Sequence, residues 1–120
     1  MAFPGTYNIN YYKGDTLEFR VYPKEADGDF YDLTGYTVKF SFSTARGSSG
    51  TSNYHEAYAI VSPDKTFVTC AIRPADSSYL TAGTSYVYDV EITKTQLPYP
   101  LVYTILTGNI TVTDQVSVTA

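Results

Sequence analysis

The sequence predicts an all-β domain, and three observations support this prediction. Thirteen Tyr and six Phe occur among 120 residues, and aromatic side chains pack well on a pleated sheet. Short segments that alternate apolar and polar residues recur along the chain with turn residues between them, which is typical of a sandwich or a barrel. Charged residues make up only 17% of the chain, which is low for a helical protein rich in Glu and Lys. The length is that of a single domain, which we place at 1–120.

The first third of the chain contains the clearest strand pattern. A polar turn at 32–35 leads directly into 37–43, where Val38, Phe40 and Phe42 alternate with polar residues. Successive side chains of a strand point to opposite faces, so these three side chains are predicted to face the core. Similar patterns predict strands at 6–12 and 16–22 and a brief extended piece at 30–31.

The middle of the chain is more polar. Residues 43–53 are almost free of apolar side chains and are expected to form a mobile loop or a hairpin tip. Pro74 and Gly83 are residues typical of helix boundaries, and they predict one short helix near residues 75–82. Two strands, 58–61 and 66–72, are predicted to pair between the loop and this helix.

The longest alternating segment is 84–93. Every second residue of this segment is apolar or aromatic and is predicted to face the core, namely Tyr86, Tyr88, Val90 and Ile92. Two further strands, 101–106 and 109–113, are predicted to form a hairpin across Thr107 and Gly108. Residues 114–120 are expected to form a short tail or an edge strand, and a short tail is also expected at the N-terminus.

Charge and composition argue against several classes of partner. The net charge is −4 and the eight basic residues are scattered, whereas nucleic-acid binding depends on clustered Lys and Arg, so no nucleic acid is expected. No apolar run is long enough to span a membrane, and the N-terminus lacks the pattern of a signal peptide. A single cysteine, Cys70, cannot form an internal disulfide, so folding in a reducing cytoplasm is the simpler expectation.

The residues suggest no catalytic centre. His55 is the only histidine and so the only imidazole base for a nucleophile, but it adjoins the polar loop and is predicted to be solvent-exposed or on an edge strand. Cys70 shares a strand face with Val68 and Ile72, which predicts a buried and inert thiol. Asp89 and Glu91 share a strand face as a glycosidase pair could, but a solvated face is the preferred interpretation.

Metal and cofactor sites are not predicted either. Asp27, Asp29 and Asp32 crowd one segment, yet their spacing lacks the late Glu of a calcium loop, and Asp-Gly is an ordinary turn former. The Gly-Ser-Ser-Gly stretch neither follows a buried strand nor opens a helix, so it does not predict a phosphate-binding loop.

The tyrosines are the better functional signal. Thirteen exceed the number that one small core can bury with every hydroxyl satisfied, and Tyr is enriched where proteins meet. The alternative is that they only decorate a β surface. The residues chosen for a candidate protein interface lie near the ends of the chain: Tyr7, Tyr11, Tyr12, Tyr99 and Tyr103.

Four motifs occur in a recognisable order. They are KGDTLEFRVY, ADGDFYDLTGYTVKFSF, PADSSYLTAGTSYVYDVEI and TILTGNITVT, and the match that contains them covers roughly 7–114. This order resembles an immunoglobulin-like module of tailed-bacteriophage virion proteins, notably baseplate, tail-fibre and collar components. The resemblance implies an antiparallel immunoglobulin-like β-sandwich of about seven to nine strands and a structural role without catalytic residues.

The expected function follows from that resemblance. It implies a virion protein, made in the bacterial host cytoplasm, that acts as an adaptor or decoration subunit of the tail, collar or capsid. Its partners would be other phage virion proteins, with several copies in a symmetric assembly. The alternative is a carbohydrate- or receptor-binding module in which Tyr rings stack on sugars beside loop carboxylates. A small hydrolase that uses the carboxylates is the third and least favoured interpretation.

Overall fold

The computed structural model describes residues 5–44 and 55–114, and this part of the chain is all β. The all-β prediction and the predicted number of strands are confirmed. The expectations for most of the 43–53 loop, for residues 1–4 and for residues 115–120 lie outside the described residues. In chain order, the elements are β1 (Gly5–Thr6), β2 (Ile9–Tyr12), β3 (Leu17–Val21), β4 (Thr37–Ser43), β5 (His55–Val61), β6 (Val68–Ile72), a 3₁₀ turn (Ser77–Tyr79), β7 (Ser85–Lys94) and β8 (Leu101–Thr113).

The eight strands form one continuous hydrogen-bonded sheet. Its order is β1-β8-β7-β4-β5-β6-β3, and β2 also pairs with β8. The pairs among β3 to β8 are antiparallel, as predicted. The pairs of β1 and β2 with β8 are parallel, which the purely antiparallel prediction did not include. Parallel strands need a long connection, and here almost the whole chain lies between them.

The sheet turns back on itself at β5 and forms two layers. The first residues of β5 pair with β4, whereas its last residues pair with β6. As a result β3 and β6 face β4 and β7: the ring of Phe19 in β3 lies 5.5 Å from that of Phe40 and 6.4 Å from that of Tyr88. Edge-on aromatic contacts of this kind join the two layers of a sandwich.

The two strongest sequence patterns produce the centre of the core. Phe40 and Phe42 of β4 are buried, and Val38 is partly buried. Phe40 pairs with Val90 and Phe42 with Tyr88, so the core faces of β4 and β7 coincide. All four residues predicted to point inward from β7 are buried: Tyr86, Tyr88, Val90 and Ile92.

The predicted hairpin at Thr107 and Gly108 is wrong. The two segments are one 13-residue strand, β8, and Gly108 lies within it opposite Tyr88. A Cβ atom at Gly108 would lie 2.0 Å from the Tyr7 carbonyl oxygen and 3.1 Å from Cε2 of Tyr88. The glycine therefore permits a close approach of another backbone, which is a recognised role of glycine inside a strand.

Two smaller expectations are refined. The predicted strand at 6–12 is interrupted at Tyr7 and Asn8, which divides it into β1 and β2. The short helix predicted near 75–82 is the single 3₁₀ turn at Ser77–Tyr79. In the described part of the chain, no helical segment has both the length and the apolar character to cross a membrane.

Candidate functional site

The five tyrosines chosen from the sequence do not share one surface. Tyr7, Tyr12 and Tyr99 are exposed, whereas Tyr11 is only 1% exposed and Tyr103 is half-buried. The Tyr11 hydroxyl donates a hydrogen bond to the Asp15 carbonyl oxygen at 2.7 Å. Alternation along β2 turns Tyr11 into the core and Tyr12 outward, so the prediction that Tyr11 contributes to an interface is corrected.

The exposed tyrosines are also far apart. Tyr12 pairs with Thr113 at one end of β8, and Tyr99 precedes Leu101 at the other end. A strand of this length spans about 40 Å, so these two rings cannot meet one compact partner surface. Tyr103 lies between the ends, with its ring 6.4 Å from that of Tyr31.

A more coherent candidate surface surrounds the edge strand β3. This strand pairs with β6 on one side, and no strand among the described residues pairs with its other side. Beside it lies a groove of about 300 Å³, which we name the edge groove. Its lining comprises Tyr7, Phe19, Arg20, Val21, Tyr22 and Leu106.

The outward face of β3 continues into a cluster that we name the outer aromatic patch: Arg20, Tyr22, Phe30 and Phe67. The ring of Tyr22 lies 5.1 Å from that of Phe67 and 6.2 Å from that of Phe30. The Arg20 guanidinium carbon lies 4.6 Å from the centre of the Phe67 ring, within the range of a cation–π interaction. Tyr22 is 45% exposed and Phe30 is 54% exposed, so this patch presents rings and a cation to solvent.

Sequence reasoning missed the outer aromatic patch. Tyr22 has the same strand parity as Glu18 and Arg20, which is a signal that its ring would point outward. Phe30 and Phe67 give no such signal, because a bridge between Lys24 and Phe30 and the antiparallel pairing of β3 with β6 bring them to this face.

A second candidate surface is an acidic groove of about 510 Å³ beside the end of β7. Four carboxylates, the rings of Phe30, Tyr31 and Tyr36, Lys94 and Leu101 line it. The hydroxyl oxygens of Tyr31 and Tyr36 lie 2.6 Å apart, and burial, followed by the hydrogen bond to Tyr36, raises the pKa of Tyr31. The carboxylates of the groove are Glu25, Asp27, Asp29 and Asp32.

Two of these carboxylates stabilise turns. Asp27 Oδ1 accepts a hydrogen bond from the Asp29 amide at 3.0 Å. Asp32 Oδ1 accepts bonds from the Thr34 hydroxyl at 2.7 Å and the Thr34 amide at 3.0 Å, and these bonds lower the pKa of Asp32. Within residues 5–44 and 55–114, no group of three or more His, Cys, Asp or Glu side chains could hold a metal ion.

His55 is placed differently from the prediction. It begins β5, which lies between β4 and β6 in the sheet, and its side chain is only 18% exposed. His55 Nε2 lies 2.9 Å from Asp76 Oδ1, and its ring stacks on Tyr79 with 3.8 Å between ring centres. The histidine is therefore neither freely exposed nor on an edge strand.

Asp76 is the centre of a polar cluster that also contains His55 and Arg73. Its side chain is 3% exposed, and Oδ2 accepts hydrogen bonds from the Arg73 amide at 2.9 Å and from Arg73 Nε at 3.0 Å. Burial raises the pKa of Asp76, but the bonds from Arg73 and His55 outweigh burial and leave that pKa below its usual value. These bonds hold the 3₁₀ turn against the start of β5.

Three other reactive side chains, those of Cys70, Asp89 and Glu91, are buried or half-buried within strands of the sheet. Cys70 is fully buried, as predicted, and burial raises the pKa of its thiol to about 12. A thiol with so high a pKa is a poor nucleophile near neutral pH. Asp89 and Glu91 are half-buried on β7, and Glu91 lies opposite Lys39 of β4.

Comparison with known proteins finds only weak structural similarities. No protein-family model matches the chain, and no curated protein matches it. Among solved structures, AggA, the major subunit of aggregative adherence fimbriae type I from Escherichia coli, aligns over 92% of this chain and 90% of its own, with 8% identity and a TM-score of 0.33. A family 123 glycoside hydrolase from Clostridium perfringens aligns over 88% of this chain but only 22% of its own, with 11% identity and a TM-score of 0.32. Likenesses this weak carry no argument about function.

Proposed function

We propose that this chain is a non-catalytic assembly subunit of a tailed-bacteriophage virion, an adaptor or decoration protein of the tail, collar or capsid. The phage assignment comes from the four sequence motifs and their order. The observation that supports an assembly role is the β3 edge, which is open among the described residues and flanked by the edge groove and the outer aromatic patch. Its partners in this proposal are other virion proteins, in several copies.

The chemistry of this surface suits a protein partner. An uncovered strand edge presents backbone donors and acceptors to any chain that can extend the sheet. Exposed aromatic rings beside an Arg are the residue types enriched at protein interfaces. Tyr7, Tyr22 and Phe30 are each about half exposed and can therefore bury further apolar area on docking.

Mass spectrometry of purified particles tests this proposal. The expected result is that the polypeptide is present in repeated, stoichiometric amounts, and its absence from the particles would refute a virion role. Tyr22→Ser should reduce incorporation, because it removes an exposed ring from the outer aromatic patch. Leu97→Ser is the matched control, since Leu97 is 92% exposed and lies outside that patch, and it should leave incorporation unchanged.

A carbohydrate-binding role is the second candidate, and the acidic groove favours it. Sugar recognition commonly combines aromatic faces with oxygen acceptors, and this groove places Phe30 and Tyr31 beside Asp29. If the groove binds a glycan, a glycan array should give a signal that Phe30→Ala and Asp29→Asn both abolish. Asp64→Asn, in the turn between β5 and β6, is the control. A silent array with the unmodified protein would refute this role.

A further inference from the structure

We propose that β3 is the contact strand of a two-fold homodimer, in which two copies of the chain pair antiparallel through this edge with the symmetry axis at Phe19. The inference rests on the proposed role of the β3 edge as an assembly surface, and it names the first partner of that surface as a second copy of the same chain. Three properties of β3 support it: the direction of its backbone groups, the order of its charges and the apolar flanks of the edge.

The backbone direction follows from the neighbouring hairpin. The Ser62 amide donates a hydrogen bond to the Phe67 carbonyl oxygen at 2.9 Å. Hydrogen-bonded and non-hydrogen-bonded pairs alternate along an antiparallel ladder. Odd-numbered residues of β6 therefore direct their amide and carbonyl groups toward β5, and even-numbered residues such as Cys70 direct theirs toward β3.

This alternation assigns the groups of β3 as well. Phe19 lies opposite Cys70, so the amide and carbonyl groups of Phe19 bond to β6. The amide and carbonyl groups of Glu18 and Arg20 then point the opposite way, out of the open edge. Each copy thus presents two donors and two acceptors, and two copies related by an axis at Phe19 can satisfy all of them with four hydrogen bonds.

The charges of β3 specify that register. The strand reads Leu17-Glu18-Phe19-Arg20-Val21, which is close to a palindrome in which the charge changes sign about Phe19. With the axis at Phe19, Glu18 of each copy lies opposite Arg20 of the other, and Leu17 lies opposite Val21. Opposite charges directly across an antiparallel pair are stabilising.

The alternative registers are unfavourable. A shift that places the axis at Glu18 sets two glutamates opposite each other, and a shift to Arg20 does the same with two arginines. Like charges directly opposite each other are destabilising. The sequence therefore disfavours the registers centred on Glu18 and on Arg20 and favours the register centred on Phe19. This charge order is complementary to itself, and a strand of another protein need not match it. The self-complementarity therefore favours a second copy of the chain as the partner of β3.

The flanks of the edge provide additional contact area. Tyr7, Tyr22 and Leu106 all line the edge groove beside β3, and the Tyr22 ring also belongs to the outer aromatic patch. Tyr7 and Tyr22 are 47% and 45% exposed, so both rings have surface left to bury. An isologous interface uses each of these surfaces twice.

Charge reversal tests the pairing directly. Sedimentation equilibrium over a wide concentration range should show a reversible dimer for the unmodified chain. Glu18→Arg and Arg20→Glu should each weaken dimerisation by about tenfold or more, because each creates two like-charge pairs. Mixing the two single variants should restore association, since every cross-strand pair then combines an Arg with a Glu. The double variant Glu18→Arg/Arg20→Glu should also dimerise, and Arg20→Lys is the charge-conserving control.

Amide hydrogen exchange provides a second readout that does not depend on the variants. The Glu18 and Arg20 amides should exchange rapidly in dilute protein and slowly in concentrated protein, whereas the Phe19 amide should be protected in both. A chain that stays monomeric at every concentration would overturn the inference, as would a dimer that charge reversal does not affect. A monomeric chain found in purified particles would remove the dimer and leave the assembly role. A dimer whose chain is absent from particles would refute the virion role and leave the dimer.

Discussion

Replacing Gly108 by Ala is expected to destabilise the fold more than the same replacement at Gly5, Gly28, Gly35 or Gly83, because an added Cβ has its closest contact at Gly108. The new Cβ would lie 2.0 Å from the Tyr7 carbonyl oxygen and 2.8 Å from the Tyr7 carbonyl carbon. Ordinary contact begins near 3.4 Å, so the N-terminal segment would have to move by more than 1 Å. That movement affects two hydrogen bonds of Tyr7, because its carbonyl oxygen accepts from the Tyr88 hydroxyl and its amide donates to the Thr107 carbonyl oxygen.

The magnitude follows from these contacts. Forcing an extra methyl group into a packed site costs about 1–3 kcal/mol. Each lost hydrogen bond adds about 1 kcal/mol, which brings the expected loss in the free energy of unfolding to about 3–5 kcal/mol. For a domain of this size, such a loss lowers the melting temperature by roughly 10–20 °C.

Urea and thermal unfolding followed by circular dichroism measure this loss. Gly83→Ala is the matched control, since an added Cβ there meets nothing within 4 Å, although its φ of +83° is strained for Ala. That control should cost about 1–2 kcal/mol from backbone strain alone. The reasoning would be refuted if Gly108→Ala were no more destabilising than Gly83→Ala.

Three further predictions concern the buried polar groups. Because the pKa of Asp76 is lowered in the folded state, its contribution to stability should be present above about pH 4 and lost as the pH falls through the folded pKa. Asp76→Asn should remove that part of the acid dependence in pH-dependent urea unfolding, and an unchanged acid limb would contradict this. Cys70 should react with a thiol reagent only as fast as the protein unfolds, and rapid labelling of folded protein would show that the thiol is accessible. Tyr11→Phe should cost about 0.5–1.5 kcal/mol by removing the bond to Asp15, whereas Tyr12→Phe should cost almost nothing, and equal costs would argue against the observed orientation of β2.

The parts of the fold that could be predicted are those that depend on local alternation. In β4 and β7, side chains at every second position meet a buried face, so the sequence period alone assigns Phe40 and Tyr88 to the core. The error at Gly108 has a physical origin, because glycine marks a turn and a close backbone approach with the same residue type. Nothing near Gly108 in the sequence indicates that Tyr7 would cross it.

The candidate sites are harder to predict from the sequence, because pairing between distant strands assembles them. The burial of Tyr11 is predictable from the alternation that begins at Ile9, whereas nearness to the chain ends carries no information about burial. His55 and Asp76 are 21 residues apart in sequence, and Tyr22 and Phe67 meet only because β3 pairs with β6. Single-sequence patterns do not specify such pairings, since they describe one strand at a time.

The pairing of the N-terminal segment also determines which edge is left for assembly. β1 and β2 precede β3 in the chain, and a strand in that position could have covered the open side of β3 through a short hairpin. Instead they bond to β8, where Gly108 leaves room for the Tyr7 backbone and where the Tyr88 hydroxyl binds the Tyr7 carbonyl oxygen. An edge left open in this way must be protected or used. In the proposed dimer, the charge order of Glu18 and Arg20 disfavours the registers centred on either of these residues and favours the register centred on Phe19. Gly108 and β3 are thus linked: Gly108 gives the N-terminal segment room to pair with β8, and β3 offers the edge that this pairing leaves uncovered among the described residues.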